Sequence, residues 1–201
     1  LINEEAIEYI NTHPEIWGVY YWAMFDFAVD SRYEGSQAAL NDKGLVTADR
    51  SIKKDSFYLY KANWNQNDSF TYITSRRWDE RDTAQTYIKV YSNCDEVELF
   101  VGDQSLGQME PQGNGVFLLE NVSLPSGDFE IRVVGHNDGD SASYSDSCTW
   151  NRSLSSRAEV ESDVLGVDTG EHTIVLEGEM TLTEFRQAVT GVNNAVYEVY
   201  S

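Results

Sequence analysis

The run Ile16-Trp17-Gly18-Val19-Tyr20-Tyr21-Trp22-Ala23-Met24-Phe25-Asp26-Phe27 is apolar or aromatic at nearly every position and does not alternate. A strand with one wet face alternates with period two, so an unbroken run of this length predicts a strand buried on both faces, as in a parallel sheet. The residues before it fit that reading. Ile2, Ala6, Ile7 and Ile10 recur at helical spacing with Glu4, Glu5 and Glu8 on the other side, and Pro14 ends the pattern. Residues 30–43 are polar and read as a long loop leaving the strand's C-terminal end, where α/β barrels place their sites. From Asp55 to Trp64, aromatics and Leu59 return to helical spacing and close an α/β unit.

Near Asn65 the period changes. Alternating segments follow at Tyr72-Ile73-Thr74, Tyr87 to Tyr91, Val97 to Val101, Val116 to Leu119 and Phe129 to Val134. Turn clusters separate them: Gly102-Asp103, Gly113-Asn114-Gly115, Pro125-Ser126-Gly127-Asp128 and Asn137-Asp138-Gly139-Asp140. Short strands at this spacing predict an antiparallel, immunoglobulin-like β-sandwich over residues 65–150. Beyond it, 151–162 is Ser-rich and charged and reads as a linker. Strand patterns at 172–176 and 196–200 flank a helix at 181–189, which opens with Thr181 and Glu184 in capping-box register, so residues 151–201 read as a linker and a partial α+β module.

A length of 201 residues accommodates two small domains, and 41% hydrophobic residues, with 5 Trp and 12 Tyr, supply material for packed cores. The net charge of -20 excludes nucleic acid as a partner, because phosphate binding needs a basic surface. No apolar run is long enough to span a bilayer, and no charged-then-apolar signal pattern is visible within the 201 residues. Cys94 and Cys148 fit no zinc or redox spacing, and a disulfide or two separate thiols both remain open. His13, His136 and His172 fall in different modules, and the acidic turn at Asp138 and Asp140 reads as solvated, so neither a metal nor a cofactor is expected.

The succession of motifs resembles a known family. Trp17 to Ala28, then Arg32, Glu34-Gly35 and Asn41-Asp42-Lys43-Gly44-Leu45-Val46-Thr47-Ala48-Asp49-Arg50, looks like the end of a family 2 glycoside hydrolase barrel of the β-galactosidase type. Lys53 to Trp64 resembles its final barrel helix, and the segment around Tyr91 to Phe100 is similar to the accessory domain that follows. The resemblance covers residues 1 to about 150. It implies a mainly β fold, with residues 1–64 the C-terminal remnant of a (β/α)8 barrel, 65–150 an immunoglobulin-like β-sandwich and 151–201 a linker and partial module.

Members of that family hydrolyse with retention, using two glutamates about 5 Å apart. The resemblance puts both upstream of Leu1, so no catalytic residue is expected here and the chain is expected to be inactive alone. It assigns substrate contact to Trp22, whose indole could pack on the C–H face of a sugar. Asp26 and Arg32 are expected to pair to hold the loop or to reach a hydroxyl, and Glu34 to have a structural or substrate-contacting role. Asn41 and Lys43 form the Asn-x-Lys pattern with which similar β-glucuronidases grip a uronic acid carboxylate. Ala23, where relatives often carry Asn, removes one polar contact.

The reading taken is a β-galactosidase-like parent acting on terminal β-galactosides. A β-glucuronidase and a non-catalytic carbohydrate-binding or adhesion module are the alternatives. For the latter, Trp78, Tyr87, Tyr91 and Tyr144 are candidate platform residues, although alternation puts some of them in the core. The parent is expected to be extracellular, periplasmic or at the surface of a bacterium. One unit of a barrel cannot close, so the apolar strand is expected to make the chain oligomeric.

Overall fold

The structure is a computed structural model that describes residues 2–31 and 38–152. Arg32, Glu34 and the readings placed beyond Arg152 lie outside the described residues. Helix α1 (Ile2–Thr12) and helix α2 (Asp55–Trp64) flank a small antiparallel pair, β1 (Phe27–Ala28) and β2 (Leu40–Asn41). The remainder is β3 (Thr71–Ile73), β4 (Glu80–Arg81), β5 (Gln85–Ser92), β6 (Glu96–Val101), β7 (Gln104–Gln108), β8 (Glu110–Gly113), β9 (Val116–Ser123), β10 (Gly127–His136) and β11 (Ser143–Arg152). These strands form two sheets, in the orders β4-β11-β10-β6-β7 and β3-β5-β9-β8.

The sheets face each other across one apolar core. Alternation sets which residues enter it: Val97, Leu99 and Val101 from β6, Phe129, Ile131 and Val133 from β10, and Ile88 and Val90 from β5. Trp150 of β11 closes one end, edge-on to Phe129 at 6.5 Å between ring centroids. Pro111 falls in β8, an edge strand, where a missing N–H costs no ladder bond. β11 extends to Arg152, so Asn151 and Arg152 belong to a strand and not to a linker. Cys94 and Cys148 are free thiols, and burial pushes Cys148 up to about 11.

The four-stranded sheet is covered on its other face as well. Tyr72, Tyr91 and Val116 leave it to pack with Ile7 of α1, Leu59 and Tyr60 of α2, and Leu45 and Val46. Tyr58 stacks on Tyr72 at 3.6 Å, and Tyr72 donates its hydroxyl to Asp55, which also accepts from the Ser75 N–H. Gly115, at φ 70, lets the β8–β9 turn approach α2; a Cβ there would lie 2.8 Å from that of Ala62.

The run from Ile16 to Phe27 is not the doubly buried strand that its composition predicts. Phe27 is in β1, Phe25 forms an isolated parallel bridge with Val46, and Trp17 and Tyr20 are more than 90% exposed. Residues 23–26 bond along one edge, to Leu45 and Val46. Burial of a parallel strand requires partners on both edges and cover on both faces. The described residues supply one edge, and the other stays open.

Glu4 fastens α1 to the sandwich. Its carboxylate accepts from Lys89 Nζ at 2.7 and 2.9 Å and from the Tyr91 hydroxyl at 2.6 Å. Burial pushes this carboxyl up, but the bonds from Lys89 and Tyr91 and the lysine charge outweigh it, leaving it below its ordinary 4.5. A depressed carboxyl stabilises the fold above its unfolded-state value and loses that contribution as pH falls through the folded value. Glu4→Gln is therefore expected to cost about 1 to 3 kcal/mol at pH 7. In denaturation series from pH 7 to 3, the gap between the variant and the parent chain should close on the acid side.

Candidate functional site

The residues singled out around the β1–β2 pair converge on Asp26. It is buried, and its Oδ1 accepts from the Gly44 N–H at 2.8 Å and from Lys54 Nζ at 2.7 Å. Lys54 occupies the N-cap position of α2, donates its backbone N–H to Leu45 O at 2.9 Å, and reaches Asp42 O with its ammonium at 2.5 Å. Asp26 thus ties the aromatic segment, the loop before Gly44 and the α2 N-terminus together. Its partner is Lys54, 28 residues on, whereas Arg32, expected to pair with it, is outside the described residues.

Gly44 is required by close approach. A Cβ there would lie 2.3 Å from both Asp26 N and Phe25 C and 2.7 Å from Asp26 Oδ1. With no side chain in the way, Ala23 O accepts from Leu45 N at 3.1 Å, Met24 O from Val46 N at 3.0 Å, and Val46 O from Asp26 N at 2.9 Å. This short ladder fixes what precedes each of its sides: Trp22 on one, Lys43 on the other.

Trp22 is 77% exposed and meets Phe27 edge-on at 6.1 Å between ring centroids, and its peptide bond to Ala23 is cis. Asn41 is buried, and its Oδ1 accepts from the Lys43 N–H at 3.1 Å, so its carboxamide shapes the turn from which the exposed Lys43 extends. The Tyr21 hydroxyl donates to Lys43 O at 3.1 Å and closes the link between the two segments; burial raises this phenol above its ordinary range. Trp22 and Lys43 are thus both exposed, each just ahead of one side of the ladder, while Asp26 and Asn41 are buried. Glu34, like Arg32, is outside the described residues.

Two features had not been singled out from the sequence. The turn after the ladder is held by Asp49, which accepts from Thr47 Oγ1 and from the N–H and hydroxyl of Ser51; these bonds, Thr47's first, hold its carboxyl down at about 2. Thr-x-Asp-x-Ser spacing was the available signal, since short polar side chains two residues apart cap each other's backbone. The second is an aromatic cleft of about 570 Å³ between this loop and α2, lined by Tyr21, Met24, Tyr60, Lys61 and Trp64 among others. Trp22, Asp26, Asn41 and Lys43 do not line it. No group of His, Cys, Asp and Glu among the described residues could hold a metal ion.

Removing one member of a buried pair leaves the other charge uncompensated. Lys54→Met, which leaves the buried Asp26 carboxylate without a counter-charge, is expected to lower unfolding stability by about 3 kcal/mol, and Asp26→Asn by less, because the ammonium left behind is the more exposed partner and keeps its bond to Asp42 O. Urea denaturation followed by tryptophan fluorescence measures both. A larger loss in Asp26→Asn than in Lys54→Met would overturn this account of the pair.

A family described as a domain of unknown function, DUF4982, matches residues 84–142. A β-glucuronidase of Bacteroides fragilis is 40% identical over 125 residues, which is 62% of this chain and 18% of that protein. A β-galactosidase of Bacteroides ovatus is 23% identical over 166 residues, 83% of this chain and 19% of that protein. The solved structure of an FMN-binding β-glucuronidase from Faecalibacterium prausnitzii superposes with a TM-score of 0.66 at 35% identity, covering 75% of this chain and 22% of that one. The chain spans about one fifth of the length of these relatives, and it is homologous to family 2 glycoside hydrolases of the β-glucuronidase and β-galactosidase type.

Proposed function

We propose that this chain supplies one wall of the sugar pocket of a retaining β-glycosidase, with the paired catalytic carboxylates contributed by a part of the enzyme outside residues 1–201. The observation that carries the reading is that Trp22 and Lys43 are both exposed on two segments joined by the Tyr21–Lys43 bond and by the buried Asp26–Lys54 pair. An indole face suits the C–H face of a pyranose, and an ammonium suits an anionic oxygen at its edge. In this reading residues 1–64 are the last βα unit of a (β/α)8 barrel, and residues 65–150 are an immunoglobulin-like accessory sandwich that braces it. The exposed Trp17, Val19 and Tyr20 support that placement, since large apolar side chains so close together in sequence are rarely left without a partner.

Two sugars fit Trp22 and Lys43, a β-galactoside and a β-glucuronide, and they differ at C6, where the glucuronide has a carboxylate. Lys43 discriminates them. In the longer protein containing this chain, Lys43→Ala is expected to raise KM for a chromogenic β-glucuronide at least about tenfold, the loss of one charge-assisted hydrogen bond, with little change in kcat. An enzyme specific for β-galactosides would be insensitive to the substitution. Activity of the 201-residue chain alone would sink the assignment of the carboxylates. The open edge of residues 16–25 is expected to make the isolated chain self-associate, so light scattering on it should give a mass above one chain, and a stable monomer would overturn the barrel placement.

A further inference from the structure

On the outer face of the four-stranded sheet, the cover provided by α1 stops at Lys89 and Tyr91, and the next residue outward along β5 is Tyr87. The β5–β9 ladder is irregular here: Thr86 pairs with Val122 and Ile88 with Leu119, so Tyr87 stands opposite both Glu120 and Asn121. Asn121 takes the left-handed conformation at φ 57. A bulge of this kind opens the sheet and re-aims side chains. Tyr87 is 61% exposed as a result, and two clefts, of about 390 and 440 Å³, meet at Gln85, Thr86 and Tyr87.

The first cleft also contains Trp78, 63% exposed, with Arg81 and Trp150 in its lining. The Arg81 guanidinium lies 3.6 Å above the Trp150 ring and 5.2 Å from that of Trp78. Arg81 Nε and the indole Nε1 of Trp150, a residue 98% buried, have no hydrogen-bond acceptor among the described residues. Buried donors are nearly always satisfied, and an orphan costs about 1 to 3 kcal/mol. Two such donors beside two exposed rings call for a ligand that is flat on one side and rich in acceptor oxygens.

We propose that this bulge-centred groove is a carbohydrate-binding site for neutral pyranose oligosaccharides, separate from Trp22 and Lys43. Tyr87 and Trp78 stack against the apolar faces of successive rings, and ring hydroxyls accept from the Arg81 and Trp150 donors, which are closed to solvent in this structure, once the Arg81 side chain shifts off the Trp150 ring. A chain ligand fits better than a single sugar because the clefts continue past Tyr87 on both sides. A neutral one fits better than a polyanion for two reasons: Glu120 and Asp82 offset Arg81 in the lining, with Lys89 already committed to Glu4, and the chain's net charge of -20 repels anions. The site does not depend on the glycosidase reading.

Titration calorimetry of the 201-residue chain with cellohexaose, xylohexaose and β-1,4-galactohexaose tests it, with a hyaluronan hexasaccharide as the acidic arm. Binding of at least one neutral hexaose is expected, weakened about tenfold or more by Tyr87→Ala and by Trp78→Ala, each a loss of about 1.4 kcal/mol. Both positions are exposed, so thermal midpoints should stay unchanged. Trp22→Ala should leave this binding intact. The proposal is overturned if no neutral hexaose binds at millimolar concentration, if only the hyaluronan fragment binds, or if Trp22→Ala abolishes binding while Tyr87→Ala does not.

Discussion

The sheet β3-β5-β9-β8 is covered on both faces around Tyr72, Tyr91 and Val116, and the position of everything around the candidate site follows from that. One face closes the sandwich core; the other, through Tyr72, Tyr91 and Val116, seats α1 and α2. With α2 seated, Lys54 at its N-terminus is presented to Asp26, and Asp26 in turn holds Gly44 and the short ladder that orients Trp22 and Lys43. Each step uses a different force: apolar burial for the helix, a charge-assisted hydrogen bond for the loop, and van der Waals exclusion at Gly44.

Much of this could be read from residue patterns, and the misreadings have definite physical causes. Helix α1 and the strands containing Val97 to Val101 and Phe129 to Val134 follow from period, because each has one face in a core and one in water. β11 was not recognised because Ser143, Ser145, Ser147 and Thr149 fill its outer face and only Trp150 is fully buried, which leaves almost no hydrophobic alternation to see. Tyr91 looked like a candidate for a sugar platform, yet it is 7% exposed, since a second layer covers that face of the sheet. Periodicity reports how residues alternate and says nothing of a helix arriving from 85 residues away.

The candidate site was legible in part. Trp22 and Lys43 are both exposed, and the pattern Asn41-Asp42-Lys43-Gly44 contains both the turn-forming amide and the close-packed glycine. The Asp26–Lys54 pair could not be foreseen, because neither spacing nor composition marks two residues so far apart as partners. The aromatic run is apolar as its composition says, and within the described residues it is bonded along one edge and largely exposed. Its composition speaks for the contacts such a strand can make, and the described residues provide those contacts along one edge.

The bonds from α1 to the sandwich join positions far apart in sequence: Glu4 with Lys89 across 85 residues, and Asn11 with Asn114 across 103. During synthesis, therefore, α1 and the aromatic segment after it leave the ribosome well before these anchors exist. At about 5 to 20 residues per second, that interval lasts on the order of ten seconds. Throughout it Ile7, which the folded chain buries completely against Tyr91 and Val116, is open to a chaperone or to a neighbouring nascent chain, so the yield of folded protein in a cell should depend on translation speed across β5 to β9.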